Sequence, residues 1–306
     1  MEKILITGGL GQIGSYLVDR LCSNSQVTVL DNMSSGSSYV VPEGVRLVKE
    51  DIVSPIARDL AADHDVVIHT AAQISVVRSM QEPVFDAQNN VFGTLNLLEG
   101  AQLGDVRKFI YISSAAVYGN PQYLPIDEGH PQDPMSPYGA SKLCGEKYCT
   151  MYHRAYGLPA VCIRPFNIYS PRQDPSNPYS GVISKFISRV SQNLPPIIFG
   201  DGSQTRDFVS AHDVVDMISL LMDDERSEGE VFNVGTGIST RIDELAGMVL
   251  DAFGLDAGIE FRDPVQGDIR DSYSDISRAK HVGYSPKVDL RSGLLEVIEA
   301  QKPGQV

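Results

Sequence analysis

Short apolar runs recur through the first half of the chain, separated by stretches in which hydrophobic residues return every three or four positions. The runs are "KILIT" (3–7), "VTVL" (27–30), "VRLVK" (45–49), "DVVIHT" (65–70), "KFIYIS" (108–113) and "AVCIR" (160–164). Their β-branched content and length predict strands, and their alternation with helical stretches predicts parallel βαβ units. Several runs are continuously apolar, the pattern of central strands covered by helices on both faces. Helices are expected over 12–23, over 83–102 with Pro83 in the first turn, and over 137–155 with Ser136 as cap and Pro137 at the first position.

From about residue 165 the composition turns to Pro, Ser, Asn and Asp in "RPFNIYSPRQDPSNPYSG". Shorter helical patterns follow at 181–190, 212–222, 241–253 and 290–300. This predicts a main domain over 1–165 and a smaller lobe made mainly from 166–306, with later segments returning to the first. No repeat of 20–50 residues and no low-complexity tract interrupts this order.

Composition narrows the class. With 306 residues, 42% of them apolar and 21% charged, the chain has the balance of a folded α/β protein. A net charge of −14 repels phosphate backbones and anionic lipid, so neither a nucleic-acid nor a membrane partner is expected. The start lacks a basic segment with a cleavage site, and no apolar run approaches the roughly 18 residues of a membrane span, which reads as a cytoplasmic protein. Four cysteines without a CxxC pair argue against a disulfide framework, and six scattered histidines argue against a protein-held metal.

The chemistry concentrates at two places. In "ILITGGLGQIGSYLVDRL", Gly8, Gly11 and Gly14 form a tight turn between the first strand and first helix, where backbone N–H groups reach a pyrophosphate at a positive helix end. Asp31 closes the second strand twenty residues after Gly11, the offset at which a carboxylate meets adenosine ribose hydroxyls. An acid there disfavours a 2′-phosphate, so NAD is expected over NADP. Asp51, after the third strand, is a candidate for the adenine amino group. The plain alternative is a glycine turn with a helix-capping acid.

In "SPYGASKLCGEKY", Tyr138 and Lys142 stand at i, i+4 near a helix start and so share one face. A phenol titrates near 10, and an adjacent ammonium with the positive helix end would draw it down toward working pH. Taken alone, the pair also fits a solvated YxxxK helix face. The segment "ISSAAVYG" after the fifth strand lies outside the carboxyl end of the sheet, on the side of the glycine turn. Ser113 and Ser114 are therefore expected to face the cofactor, with Ser114 preferred as the hydroxyl that relays the tyrosine's proton. No GxSxG elbow supports a serine hydrolase.

TGGxGxxG, Asp31, SSAAVYG, the Tyr138/Lys142 pair and "RPFNIY" together resemble the extended short-chain dehydrogenase/reductases, from residue 3 to about 300. At "PRQDPSNPYSGVISKF", "GDGSQTRDFV", "FNVGTG" and "GDIRDSYSDISRA" the second half is most similar to the nucleotide-sugar 4-epimerases of the UDP-glucose/UDP-N-acetylglucosamine type. The resemblance implies a Rossmann doubly wound parallel sheet with a smaller C-terminal α/β substrate lobe, NAD as cofactor, a UDP-sugar substrate, and a homodimer built on the helices at 83–102 and 137–155. The cofactor shell it implies takes in Gly8, Gly11, Gln12, Ile13 and Gly14, then Asp31, Asn32, Asp51, Ile52, Ala71, Ala72 and Asn90, with Tyr138 and Lys142. Catalysis falls to Ser114, Tyr138 and Lys142. The substrate set it implies is Ser114, Tyr138, Asn167, Arg206, Arg270 and Ser272, with Arg206 on the diphosphate; alone, Arg206 would read as a surface ion pair with Asp207 or another acid.

Departures sharpen the expectation. Relatives that dehydrate or decarboxylate sugars place an acid beside the serine of Ser114-Ala115-Ala116, whereas both following positions here are alanine. That favours chemistry confined to carbon 4. Val265 stands where the family's second phosphate-binding arginine is usual, so either Arg206 works alone, or Arg262 or Arg270 takes over, or the nucleotide differs. Ser272, five residues after Gly267, is small where a bulky aromatic would exclude an N-acetyl group. Two rivals remain: a net nucleotide-sugar dehydrogenase or reductase, marked by stoichiometric NADH change, and a dinucleotide-sensing protein without turnover, against which the intact Tyr138/Lys142 pair speaks.

Overall fold

Six apolar runs become strands β1 (Lys3–Thr7), β2 (Gln26–Asp31), β3 (Arg46–Lys49), β4 (Val66–His69), β5 (Lys108–Ile112) and β6 (Ala160–Pro165). The computed structural model describes residues 1–34, 38–173, 181–265 and 268–301. A seventh strand, Val231–Val234, joins them in a parallel sheet of order Val231–Val234, β6, β5, β4, β1, β2, β3.

Continuous apolarity has the meaning expected of it. Ile4, Ile6, Ile68 and Ile110 enter a core on one face, while Leu5, Val67, Phe109 and Tyr111 enter another on the opposite face. Successive side chains of a strand point to opposite sides, so only a strand apolar at every position can fill both layers. The second half of the chain contributes to this body: the helix Ala211–Asp223 sends Val214, Val215 and Ile218 into the same core as Ile4. The smaller lobe gathers Phe186, Phe208, Leu245, Val249 and Leu294 into its own cluster.

The helix at 137–155 forms as Pro137–Tyr156, and Ser136 accepts from Gly139 N as its cap. The single helix expected over 83–102 is instead three pieces: Pro83–Ala87, a π turn Gln88–Phe92, and Gly93–Leu103. One wide turn shifts the periodicity by a single residue, too little to register in a hydrophobic pattern. Sequence reading also passes over Pro55–Ala62, although Ser54 followed by Pro55 is a helix-start signature and Ser54 does accept from Ala57 N. Among the described residues no helix is long and apolar enough to cross a membrane.

Topology positions the site. After β1, β2 and β3 run outward in order, the chain crosses back to place β4 against the free side of β1. The carboxyl ends of β1 and β4 thus open the crevice where an open parallel sheet binds its ligand.

Candidate functional site

The glycine turn sits at that switch point. Gly8 has φ +66° and donates to Leu30 O at 2.8 Å, and Gly11 N donates back to Gly8 O at 3.0 Å. A Cβ on Gly14 would lie 2.2 Å from Gly8 O and 2.7 Å from Gly9 Cα, so the helix Gly14–Leu21 can approach the turn only with glycine there. No side chain caps this helix start. Ser15 N donates to Gly11 O at 3.0 Å within the turn, and Gln12 Nε2 is enclosed there without a hydrogen-bond partner among the described residues. An uncapped positive end, backbone exposed by glycine and an enclosed donor without an acceptor fit the pyrophosphate of a dinucleotide.

Asp31 is buried at the end of β2, its Oδ2 accepting from Leu10 N at 3.0 Å and its Oδ1 from Met33 N at 2.8 Å. It thus braces the glycine turn, and each oxygen keeps a further lone pair. Asn32 donates to Asp51 Oδ2 at 2.9 Å, joining the ends of β2 and β3. Ile52 is buried behind them, and Gly8 packs so closely on Ala71 that a Cβ would stand 2.7 Å from its backbone. Ala71, bonded through its N–H to Thr7 Oγ1, and Ala72 follow β4 at the crevice floor. Asn90, on the π turn, is buried and bonds Gln73 and Ser141 rather than facing outward. Ile13 packs on the core that contains Val18.

Tyr138 and Lys142 do not form a solvated face. Lys142 is 3% exposed, and its ammonium donates to Ile112 O at 2.8 Å, 5.1 Å from the Tyr111 ring. Burial lowers it to about 8, opposed by the charges of Asp86 and Glu146. Burial raises the Tyr138 phenol, a hydrogen bond with Ser114 pulls it down, and Asp86 pushes it up. The expectation that Lys142 draws the phenol down is corrected here: the ammonium is directed at a main-chain carbonyl, and the group that helps the phenolate is Ser114. Ser113 is corrected as well. It does not face the crevice but turns inward and donates to Glu146 Oε1 at 2.5 Å. Glu146 is in turn held by Arg164 through two bonds of 2.8 and 2.6 Å, which ties β6 to the helix bearing Lys142.

On the smaller lobe, Thr205–Arg206 pairs with Asp271–Ser272, placing Ser272 directly beside Arg206. Arg206 is not paired with Asp207. Its Nη2 donates to Asp268 at 2.7 Å and its Nη1 to Thr205 O, while Asp207 is buried and accepts from Thr236, Gly237 and Ser274. Asn167 starts the exposed edge of the short strand Asn167–Tyr169, its N–H on Asp207 O. Arg270 is 72% exposed and reaches Ser203 Oγ, and Arg262, half exposed, pairs with Glu260. Gly267 and the motif residues 174–180 lie outside the described residues. Asp86 and Gln73 escape sequence reading, since nothing in their local spacing shows that they pack behind Lys142.

Comparison with known proteins bears on this arrangement. Residues 4–235 match the sequence model of the NAD dependent epimerase/dehydratase family. The UDP-glucose 4-epimerase of Mycolicibacterium smegmatis is 41% identical over 307 residues, covering 97% of both chains. A UDP-N-acetylglucosamine 4-epimerase from Methanobrevibacter ruminantium, solved with UDP-N-acetylmuramic acid, superposes with a TM-score of 0.94 at 35% identity, covering 98% of this chain and 97% of that one. A UDP-glucose 4-epimerase from Thermotoga maritima, solved with UDP-glucose, gives 0.93 at 37% identity, covering 97% and 98%. Proteins named as dehydratases and decarboxylases are also among the relatives.

Proposed function

This chain belongs to the NAD-dependent epimerase/dehydratase family, and on that premise we propose that it interconverts the carbon-4 epimers of UDP-hexoses, both UDP-glucose/UDP-galactose and their N-acetylhexosamine forms. The observation that carries this reading is the composition of the crevice: Tyr138 hydrogen-bonded to Ser114 on the helix that carries buried Lys142, with Ala115 and Ala116 after Ser114 where chemistry beyond carbon 4 would need a further acid.

NAD, when bound, supplies the acceptor and then the donor of the carbon-4 hydride. The chain's own groups do the rest. Tyr138 takes the proton of the carbon-4 hydroxyl, and Ser114 holds the same oxygen and shares its phenol's negative charge. Lys142 supplies a fixed ammonium to the ribose side of that site. Asp31 accepts from the adenosine ribose through its remaining lone pairs, with Asn32 and Asp51 beside it. Arg206 holds the diphosphate by exchanging Asp268 for phosphate oxygens, and exposed Arg270 closes over it in place of the arginine that Val265 displaces. With the diphosphate anchored by Arg206, the hexose could present either face of carbon 4 to Tyr138, which would give back to the carbon-4 oxygen the proton it took. Ser272 leaves room beside carbon 2 for an acetamide.

The apolar residues exposed on the two adjoining helical segments, Val84, Phe92 and Met151, support a homodimer through these helices, and the acidic composition suits a cytoplasmic enzyme. Incubation with UDP-glucose, UDP-galactose and their N-acetyl analogues, with products identified by NMR, tests the reading. Carbon-4 epimers without net change in NADH are expected. Stoichiometric NADH would mark a dehydrogenase instead.

A further inference from the structure

Behind the Tyr138–Lys142 pair lies a carboxylate that the mechanism above leaves unused. Asp86, on the short helix Pro83–Ala87, is 1% exposed. Its Oδ1 accepts from Gln73 Nε2 at 2.7 Å and from Asn90 Nδ2 at 3.2 Å, whereas its Oδ2 has no hydrogen-bond partner among the described residues. The same Asn90 amide reaches Ser141 Oγ at 3.1 Å, one residue before Lys142, and the two helices pack together. A buried carboxylate with a bare oxygen is strongly unfavourable unless a positive charge compensates it.

The buried positive charge that Asp86 acts on is Lys142, through space rather than through an ion pair, since the ammonium itself donates to Ile112 O. Burial weakens its hold on a proton, and Asp86 is the foremost of the groups that restore it. The other groups around the ammonium are accounted for. Glu146 and Cys149 lie on its own helix, with Glu146 committed to Arg164 and Ser113. His69, from β4, is held neutral by burial down to about 3, and β5 offers the Tyr111 ring. The charge of Asp86 also acts on Tyr138, against phenolate. We propose that Asp86 is a positioning residue for the proton transfer: clamped by Gln73 and Asn90, its carboxylate sets the charge state of Lys142 and Tyr138 from behind the reacting atoms. The inference rests on the roles given above to Tyr138 and Lys142.

One negative charge holds the proton on both partners, so removing it shifts both titrations toward lower pH. Asp86→Asn tests this, because it keeps an acceptor for Gln73 and Asn90 while abolishing the charge. Two measurements are needed. Carbon NMR of isotope-labelled lysines, assigned through Lys142→Met, follows the Lys142 side chain without turnover. The pH profile of kcat/KM with UDP-glucose follows the reaction. The Lys142 midpoint is expected to fall by roughly half a unit or more, with both limbs of the profile moving the same way. If Asp86→Asn does not fold, Asp86→Ser, smaller and neutral, has the same expectation. An unmoved lysine midpoint overturns the proposal even where activity drops, since a merely structural residue would lower the rate without moving a titration. If the unaltered protein epimerises no UDP-hexose, the functional reading fails, and the lysine titration still decides the role of Asp86.

Discussion

Lys142 donates to the main-chain carbonyl of Ile112 across 2.8 Å, tying the helix Pro137–Tyr156 to the carboxyl end of β5, where Ser113 and Ser114 begin. Helix and strand end are thereby held in one register, and the ammonium is buried rather than solvated.

With Lys142 at the cofactor as proposed, that burial predicts pH-dependent cofactor binding. Lys142 is lowered to about 8, so its charge is complete below that value and is lost as pH rises through it. NAD affinity measured by calorimetry is expected to weaken between about pH 7 and 9, by roughly threefold to tenfold if one charged contact is lost. In Lys142→Met the affinity should be weaker throughout and flat across this window. A wild-type affinity independent of pH would remove Lys142 from the cofactor site.

Tyr138→Phe removes the proton acceptor and little else, because the ring remains to fill its place beside Ser114. Turnover of UDP-glucose should drop by about 10²-fold or more, with bound NAD retained in the purified protein. Residual turnover above a tenth of wild type would reassign the base.

Asp31→Ala has two consequences that separate cleanly. Loss of the ribose-facing carboxylate should weaken NAD by about tenfold or more and relax discrimination against NADP, as seen by parallel titrations. Leu10 N and Met33 N also lose their acceptors, so the melting temperature should fall, by an amount corresponding to roughly 1–3 kcal/mol. Intact NAD affinity with a lowered melting temperature would leave Asp31 a brace of the turn only.

Ser272→Tyr introduces an aromatic side chain beside Arg206, its strand partner. It should suppress kcat/KM for the N-acetylated substrates by about tenfold or more while sparing UDP-glucose, since only the acetamide needs that space. Equal loss of both classes would place the sugar gate elsewhere.

The sheet, the glycine turn and the capped helix at Pro137 were legible in sequence because each is a local pattern: an apolar run of strand length, glycines where no Cβ fits, and a Ser-Pro start. The shared helix face of Tyr138 and Lys142 was legible for the same reason, through their i, i+4 spacing, whereas the burial of Lys142 against Ile112 O was not. Other features depend on contacts between distant residues. The inward turn of Ser113 follows from the Glu146–Arg164 pair, which β6 and the helix complete only when packed. Ser272 meets Arg206 across 66 residues of sequence because two short strands find each other in the smaller lobe. Asp86 came to matter because a π turn and a helix contact bring its carboxylate behind a buried lysine. Backbone propensity and hydrophobic period act over a few residues, and they determined which elements form. Burial, side-chain direction and charge proximity arise only once those elements pack, and so tertiary structure alone decided which polar groups share the crevice and which brace it from behind.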